Sequence, residues 1–456
     1  MYLTIKILNF VFFLFCLIFS YYLFLIFYDS TRGVDFGRYI ENVQYFSGFK
    51  NEVLDAQGSL YFYLLSKLLF FDTSFEYFIG NQIVNNAIQF FNFILFLVGL
   101  VGLFFIFKKL KYKTSLIIYS FSILLFFPPM LYFRLTMKPE VMAFALYPWV
   151  IYFLNKYFEI KNRKNILVSS IFLSVLLTLK ASITGMVLVS LFIFYYKELI
   201  KVKSNMYFLI TTSFLTSSSL FIIFLNTKRW LFAKPYLLDI AAMEKWNNTA
   251  NLSFFKNIDF RNLLENPFKY LHSDSFISIT LLDTFSDYFT LFWFNIEDSN
   301  LLAFNRMKFS ENFLIQEYLP QYISILFTFS FYVLVVVLII YRVETSKFLL
   351  LPFCGMLILI LNSLGFPNKN FDPITGDLFK VHYYSFFLTI SFFSLFLYLI
   401  SSFKILRFFG FFLIPVFLLA IGFPKHLENE YEDKILERIS ESNICLVFEH
   451  NLNIKC

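Results

Sequence analysis

Residues 7–28 read ILNFVFFLFCLIFSYYLFLIFY, about 22 residues without a charge, preceded by Lys6 and followed by Asp29. At about 1.5 Å of rise per residue such a run crosses the ~30 Å hydrocarbon core of a bilayer as one helix. It is too long for the apolar core of a signal peptide and has no small-residue cleavage site, so it is expected to stay as the first transmembrane helix. The remainder of the 456 residues has the same character: 59% are hydrophobic and 15% charged, with 70 Phe and 29 Tyr. A water-facing surface needs roughly a quarter of charged residues, so the chain is expected to be an integral membrane protein. Its net charge of +7 is then a matter of membrane topology and not of nucleic-acid binding.

Further runs of spanning length lie at 88–107, 115–133, 141–157, 206–226, 322–341, 348–364, 384–401 and 408–423. The apolar stretch 165–199 is too long for one helix and is interrupted by Lys180-Ala181-Ser182, which divides it into two short spans. The expected fold is therefore all-α, a polytopic transmembrane bundle of about 11 helices.

Short loops rich in Lys and Arg stay in the cytoplasm. With the N-terminus inside, alternate turns carry Lys108, Lys109, Lys111 and Lys113, then Lys156, Lys161, Arg163 and Lys164, then Lys197, Lys201 and Lys203, then Arg342 and Lys347, then Lys404 and Arg407. The long segments 29–86, 227–321, 365–383 and the tail from 424 face the other side, as does the short turn 134–140. Function is expected there, because extended loops carry sites and tight turns rarely do. Within those segments 59–71 reads as an interfacial amphipathic helix, and 278–294, with Asp283 and Asp287 one helical turn apart, as interfacial or re-entrant. The division along the chain is 1–226, a transmembrane module with the first external loop; 227–321, an external loop; 322–423, further spans; and 424–456, an external tail. Cys445 and Cys456 lie in that tail, where a disulfide or two ordinary thiols are equally compatible with the sequence. Asn247-Asn248-Thr249 and Asn251-Leu252-Ser253 match the N-glycosylation pattern, which arises by chance in an Asn-rich chain.

Four places hold residues suited to chemistry, each with a plainer structural reading beside it. Asp35, in Gly33-Val34-Asp35-Phe36-Gly37-Arg38-Tyr39, is a carboxylate at a membrane boundary, placed to act as a general base on a hydroxyl or simply to cap a helix running through Tyr45. In Arg134-Leu135-Thr136-Met137-Lys138-Pro139-Glu140, Pro139 and Glu140 are what a helix start prefers, whereas Arg134 and Lys138 flanking the same turn are suited to an anion. Lys180 stands among Leu177, Leu179, Ala181 and Ile183 as an anion ligand or as a side chain snorkelling to the interface. Lys380 and His382, beside Tyr383, are suited to a lipid phosphate or to anchoring at the interface. The chain has no phosphate-binding G-x-x-x-x-G-K-[ST], no G-x-S-x-G and no H-E-x-x-H, and no soluble α/β segment for a nucleotide sugar.

Three of these places together resemble the GT-C superfamily of integral-membrane glycosyltransferases, which use polyprenyl-phosphate-linked sugars. They are Val34-Asp35-Phe36-Gly37-Arg38-Tyr39 after the first helix, Lys138-Pro139-Glu140 at the start of the fourth span, and Leu179-Lys180-Ala181-Ser182-Ile183-Thr184-Gly185 between two short helices. The likeness covers residues 1–226 and is greatest to bacterial members. The turn Lys380-Val381-His382-Tyr383 resembles the late basic site that holds the donor phosphate in such enzymes. Phe36 follows Asp35 where protein mannosyltransferases pair Asp with Glu, and no D-x-D of the oligosaccharyltransferase kind is present. A metal-independent mechanism without a cofactor is the expectation.

The resemblance implies a membrane glycosyltransferase working at the periplasmic face of an inner membrane, with the N-terminus cytoplasmic and the C-terminus periplasmic. Asp35 would be the general base and Glu140 would orient a cation or the sugar. Arg134, Lys138, Lys180, Lys380 and His382 would hold the donor phosphate, and Arg38, Tyr39 and Tyr383 would bind substrate. Its partners would be a polyprenyl-phosphate-linked sugar, membrane lipids and an acceptor glycan, lipid or protein, with no nucleic acid. The alternatives are a flippase or carrier of a lipid-linked glycan, and a polysaccharide polymerase or ligase.

Overall fold

An unpaired peptide group in hydrocarbon costs several kcal/mol, so a chain this apolar must satisfy its backbone within helices. The computed structural model describes residues 2–27, 36–48, 60–68, 82–200, 204–227, 248–267, 272, 274–285, 318–366 and 381–421. Among them every extended element is helical. In chain order these are α1 (Tyr2–Phe27), α2 (Phe36–Ser47), α3 (Leu60–Leu68), α4 (Gln82–Lys109), α5 (Thr114–Leu124), α6 (Pro128–Leu135), α7 (Glu140–Ile160), α8 (Arg163–Leu177), α9 (Ala181–Ile200) and α10 (Ser204–Thr227). There follow α11 (Leu252–Lys256), α12 (Phe260–Glu265), α13 (Phe276–Asp283), α14 (Tyr318–Ile340), α15 (Ser346–Leu349) and α16 (Leu351–Ser363). A 3₁₀ turn at Val381–Tyr384 leads into α17 (Ser385–Ser402), then α18 (Lys404–Phe409), a 3₁₀ turn at Gly410–Phe412, and α19 (Leu413–Ala420).

Among the described residues six apolar helical stretches are long enough to cross a membrane: Ile7–Leu25, Val84–Lys109, Ala181–Glu198, Gln321–Ile340, Ser346–Ser363 and Val381–Ser402. The expected single span at 115–133 is instead two helices, α5 and α6, bent by 68°. Counting that bent pair as one span gives 7. The expected helix at 408–423 is likewise broken, into α18, the 3₁₀ turn and α19. Of the other expected spans, α8 has 15 residues, the apolar stretch of α10 is Phe208–Ile222, and α7 mixes its apolar residues with Glu140, Pro148, Asn155, Lys156 and Glu159.

The bend between α5 and α6 has an identifiable cause. Pro128 and Pro129 supply no N–H, so the carbonyls of Leu124 and Leu125 lose their helical donors. Phe127 N–H turns back to the Leu124 carbonyl at 3.1 Å, and Ser20 on α1 donates its hydroxyl to the Leu125 carbonyl at 3.2 Å. An intrahelical bond is thus replaced by a contact between α1 and the bend.

The chain divides into two compact units. The first comprises Met1–Ile240, Val335–Ile358 and Tyr383–Phe411. Its centre is a parallel pairing of α4 with α7. Phe96 stacks on Phe144 with ring centroids 5.5 Å apart, Trp149 Nε1 donates to the Val98 carbonyl at 3.1 Å, and Lys109 pairs with Glu159 at 2.7 Å. The close approach needs glycine. A Cβ on Gly99 would lie 2.5 Å from the Phe144 ring and 2.8 Å from its carbonyl oxygen, and one on Gly102 would lie 2.9 Å from Pro148. Helix α17 runs alongside, setting Phe387 against Tyr147 and Phe393 against Phe107. At the end of this bundle that holds Lys109 and Glu159, Lys111, Lys161 and Arg342 close short turns with φ of 62°, 56° and 49°.

The second unit comprises Ala241–Leu334, Leu359–His382 and Phe412–Cys456. Its short helices begin at side-chain caps: Asn251 accepts from Phe254 N–H, Asp259 from Asn262 N–H, and Ser275 from Ser278 N–H. Asn251, part of a glycosylation-like tripeptide, is therefore in structural use as a cap. Leu263, Leu282 and Ile325 form a buried apolar cluster in this unit, with Leu281 and Tyr322 against it. Asp283, the last residue of α13, accepts the Val381 N–H at 3.0 Å and so fixes the start of the 3₁₀ turn that carries His382.

Candidate functional site

The turn from α6 to α7 gathers ionisable groups out of water. Thr136 ends α6 in an extended conformation, and its N–H and hydroxyl both reach the Tyr132 carbonyl, at 3.1 and 2.6 Å. Pro139 then starts α7 and Glu140 occupies its first turn, where the helix dipole favours a carboxylate. Arg134, Lys138 and Glu140 are exposed by only 2%, 1% and 1%.

Each of these groups has its own surroundings. The Arg134 guanidinium lies 5.6 to 5.8 Å from the rings of Phe24, Phe93 and Phe96, and its Nη2 donates to Ser20 Oγ at 2.8 Å. Its Nε and Nη1 have no hydrogen-bond partner among the described residues. Lys138 Nζ donates to the Tyr39 hydroxyl at 3.2 Å and lies over the Tyr39 and Tyr132 rings at 4.6 and 5.2 Å. Lys180 stands at the break between α8 and α9, where its carbonyl accepts the Thr184 N–H that starts α9. Its ammonium is 3.5 Å from Glu140 Oε1 and 4.1 Å from the centre of the Tyr383 ring. Neither carboxylate oxygen of Glu140 nor the Lys180 ammonium makes a hydrogen bond among the described residues. The structure thus brings together Glu140, Lys180 and Tyr383, and Lys138 with Tyr39. His382 is half-buried in the 3₁₀ turn. Asp35, Lys380, Asp287, Cys445 and Cys456 lie outside the described residues, and Arg38 is described only as part of the α2 backbone.

Among the described residues Arg134 and Glu140 are buried at this turn, the Arg134 Nε and Nη1 make no hydrogen bond, and the partly buried Lys180 pairs with Glu140. No protein family model matches the chain, and neither a curated protein nor a solved structure matches it. A buried guanidinium with unmet donors is costly in apolar surroundings, and an anionic group is a ligand class that would satisfy those of Arg134. Among the described residues no three His, Cys, Asp or Glu side chains group together to hold a metal ion.

The sequence reading passed over two members of the cluster. Tyr61 on α3 is fully buried, donates to Asn92 Oδ1 at 2.8 Å, and Asn92 Nδ2 donates to the Thr136 carbonyl at 2.8 Å. Burial holds the Tyr61 hydroxyl well above the usual tyrosine range; the Asn92 hydrogen bond and the Lys138 backbone pull it back, and the Glu140 charge raises it further. A signal for Asn92 was present, because Asn85, Gln89 and Asn92 recur at i, i+4 and i+7 in an otherwise apolar helix.

Proposed function

We propose that the chain is a GT-C-type membrane glycosyltransferase of about 11 spans, which transfers a sugar from a polyprenyl-phosphate donor to an acceptor hydroxyl at the periplasmic face of an inner membrane. The observation that carries the reading is the buried Arg134 guanidinium, whose Nε and Nη1 have no hydrogen-bond partner among the described residues, on the turn that leads to Glu140, which suits a phosphate arriving from the lipid phase. In the proposed reaction Asp35 takes the proton of the acceptor hydroxyl while its oxygen attacks the anomeric carbon. The bond from that carbon to the phosphate oxygen breaks, its electron pair leaves with polyprenyl phosphate, and the sugar inverts. Lys138 and Lys180, with Arg134, Lys380 and His382, stabilise the leaving phosphate, and compensating its charge in an apolar site is worth several kcal/mol. Glu140 holds Lys180 in place, and Arg38, Tyr39 and Tyr383 contribute to substrate binding. No metal takes part in this scheme.

A carrier of a lipid-linked glycan is the second reading, and the burial of Arg134, Lys138 and Glu140 favours it, because ionisable groups inside a bundle are also a transporter's feature. The two separate at Asp35. With purified protein in vesicles holding a polyprenyl-phosphate-linked sugar, Asp35→Asn is expected to lower release of free polyprenyl phosphate by about 10²- to 10⁴-fold, since an amide cannot accept the proton. Asp29→Asn serves as the tolerated control. Wild-type protein that moves the glycan across the vesicle membrane and releases no polyprenyl phosphate would establish the carrier.

A further inference from the structure

We propose that Tyr61 and Asn92 form a hydrogen-bonded latch that positions α2 and α3 against the Lys138–Glu140 turn. The inference rests on the transferase reading only for its consequence in catalysis; the latch itself stands on geometry. Helices α2 and α3 pack on each other, with Tyr39 stacked on Phe62 at 5.0 Å and Phe46 edge-on to Tyr63 at 6.0 Å. Two hydroxyls tie this pair to the turn. Tyr39, on α2, accepts from Lys138 Nζ at 3.2 Å. Tyr61, on α3, reaches the turn through Asn92, which accepts the tyrosine proton on one side of its amide and donates to the Thr136 carbonyl on the other, both at 2.8 Å.

The chemistry requires an amide at position 92. A donor and an acceptor on one short side chain are needed to bridge a hydroxyl proton and a carbonyl, and Asn supplies both. The Thr136 carbonyl belongs to the end of α6, where helical donors run out, so it has a lone pair to offer. Tyr61 and Asn92 are both fully buried, and each bond is made without competition from water, which strengthens it and makes its loss expensive. Asn85, Gln89 and Asn92 are all buried on one face of α4, so this face is built for polar contact along its first three turns.

The consequence concerns the helix that follows Asp35 in sequence. With the latch made, α2 and the turn bearing Lys138 and Glu140 hold one register; with it broken, the Lys138–Tyr39 hydrogen bond still joins them but the tie through α4 is lost. Tyr61 and Asn92 are thus positioning residues for transfer and bind neither donor nor acceptor.

The test uses the full chain in lipid nanodiscs with Cys445 and Cys456 replaced by Ser, and spin labels at Leu68→Cys on α3 and Lys113→Cys beyond the far end of α4. Both positions are exposed, and Cys16 and Cys354 are buried. The latched protein is expected to give one narrow distance distribution. Asn92→Leu, which keeps the branched shape and removes both hydrogen bonds, is expected to add a second population of a tenth or more of the molecules. Tyr61→Phe, which loses one hydroxyl, is the milder variant should Asn92→Leu fail to fold. In the transfer assay both variants are expected to lose tenfold or more in kcat with the donor KM within twofold. Distance distributions equal to the unsubstituted protein's overturn the latch. Altered distances with unchanged kcat overturn its positioning role. Altered distances in a chain that transfers no sugar from any polyprenyl phosphate establish the latch and remove the transferase instead.

Discussion

Replacing Lys180 by Met strands the Glu140 carboxylate in the bundle. The two charges are 3.5 Å apart, with side-chain exposures of 11% and 2%. At an effective dielectric of about 20, that separation corresponds to an attraction of about 5 kcal/mol. Measured losses on breaking a buried pair from one side are about 3 to 5 kcal/mol, whereas replacing both partners by uncharged groups of similar size is nearly neutral. Lys180→Met is therefore expected to cost about 3 kcal/mol or more, and Lys180→Met combined with Glu140→Gln about 1 kcal/mol or less. For 456 residues at ~2.1 cal/mol/K each, 1 kcal/mol corresponds to about 1 °C in Tm. Thermal unfolding of the purified protein in one detergent, followed by intrinsic fluorescence, is thus expected to show Lys180→Met melting about 3 to 5 °C early, with most of the loss recovered in the double variant. If Lys180→Met melts with the wild type, or the two single losses simply add, the pair is not coupled and the charge argument for the site fails.

Gly99→Ala drives a methyl group into the Phe144 ring and carbonyl, at 2.5 and 2.8 Å, and is expected to destabilise by about 1 to 3 kcal/mol, read in the same melting assay. Tyr112, in the turn between α4 and α5, is pushed up to about 12, chiefly by burial and then by Glu344 and Tyr398, with a Thr345 hydrogen bond opposing. Its folded value lies above its unfolded one, so its contribution is intact below about pH 10 and lost as pH rises towards 12. Tyr112→Phe is expected to flatten that alkaline loss in a pH series of melting curves. A maleimide probe at Ala181→Cys is expected to react from the side opposite to one at Lys164→Cys, and reaction of both from the same side would overturn the separation of α8 and α9 into two crossings.

Residue patterns carried the long elements because hydrophobicity along one chain is a local property. The apolar run that begins at Ile7 falls on α1 (Tyr2–Phe27), and the polar break at Lys180-Ala181-Ser182 separates α8 from α9. Apolar length is blind to a bend within an apolar run, which is why 115–133 read as one helix although Pro128 and Pro129 stood in it as the sign of a break. At the candidate site the ionisable members were visible as charges in an uncharged chain. What joins them was not visible: Tyr61 to Asn92 spans 31 residues and Asn92 to Thr136 spans 44. Such bonds follow from tertiary packing, and sequence spacing carries no trace of them. The surroundings of Arg134 were hidden for the same reason, since Phe24, Phe93 and Phe96 come to it from α1 and α4.

The left-handed turns at Lys111, Lys161 and Arg342 have a consequence for how the protein is made. An L-residue in that conformation costs about 1 kcal/mol or more, and glycine would remove most of the cost at each. The finished fold would be tighter with three glycines. In the proposed orientation these turns face the cytoplasm, and a cation there acts earlier, while the ribosome is still extruding the chain and the insertion machinery retains basic segments on its own side. Glycine variants would therefore give molecules that resist heating better but a larger share of which enter the bilayer upside down, so that yield of correctly inserted protein and its heat resistance would move in opposite directions.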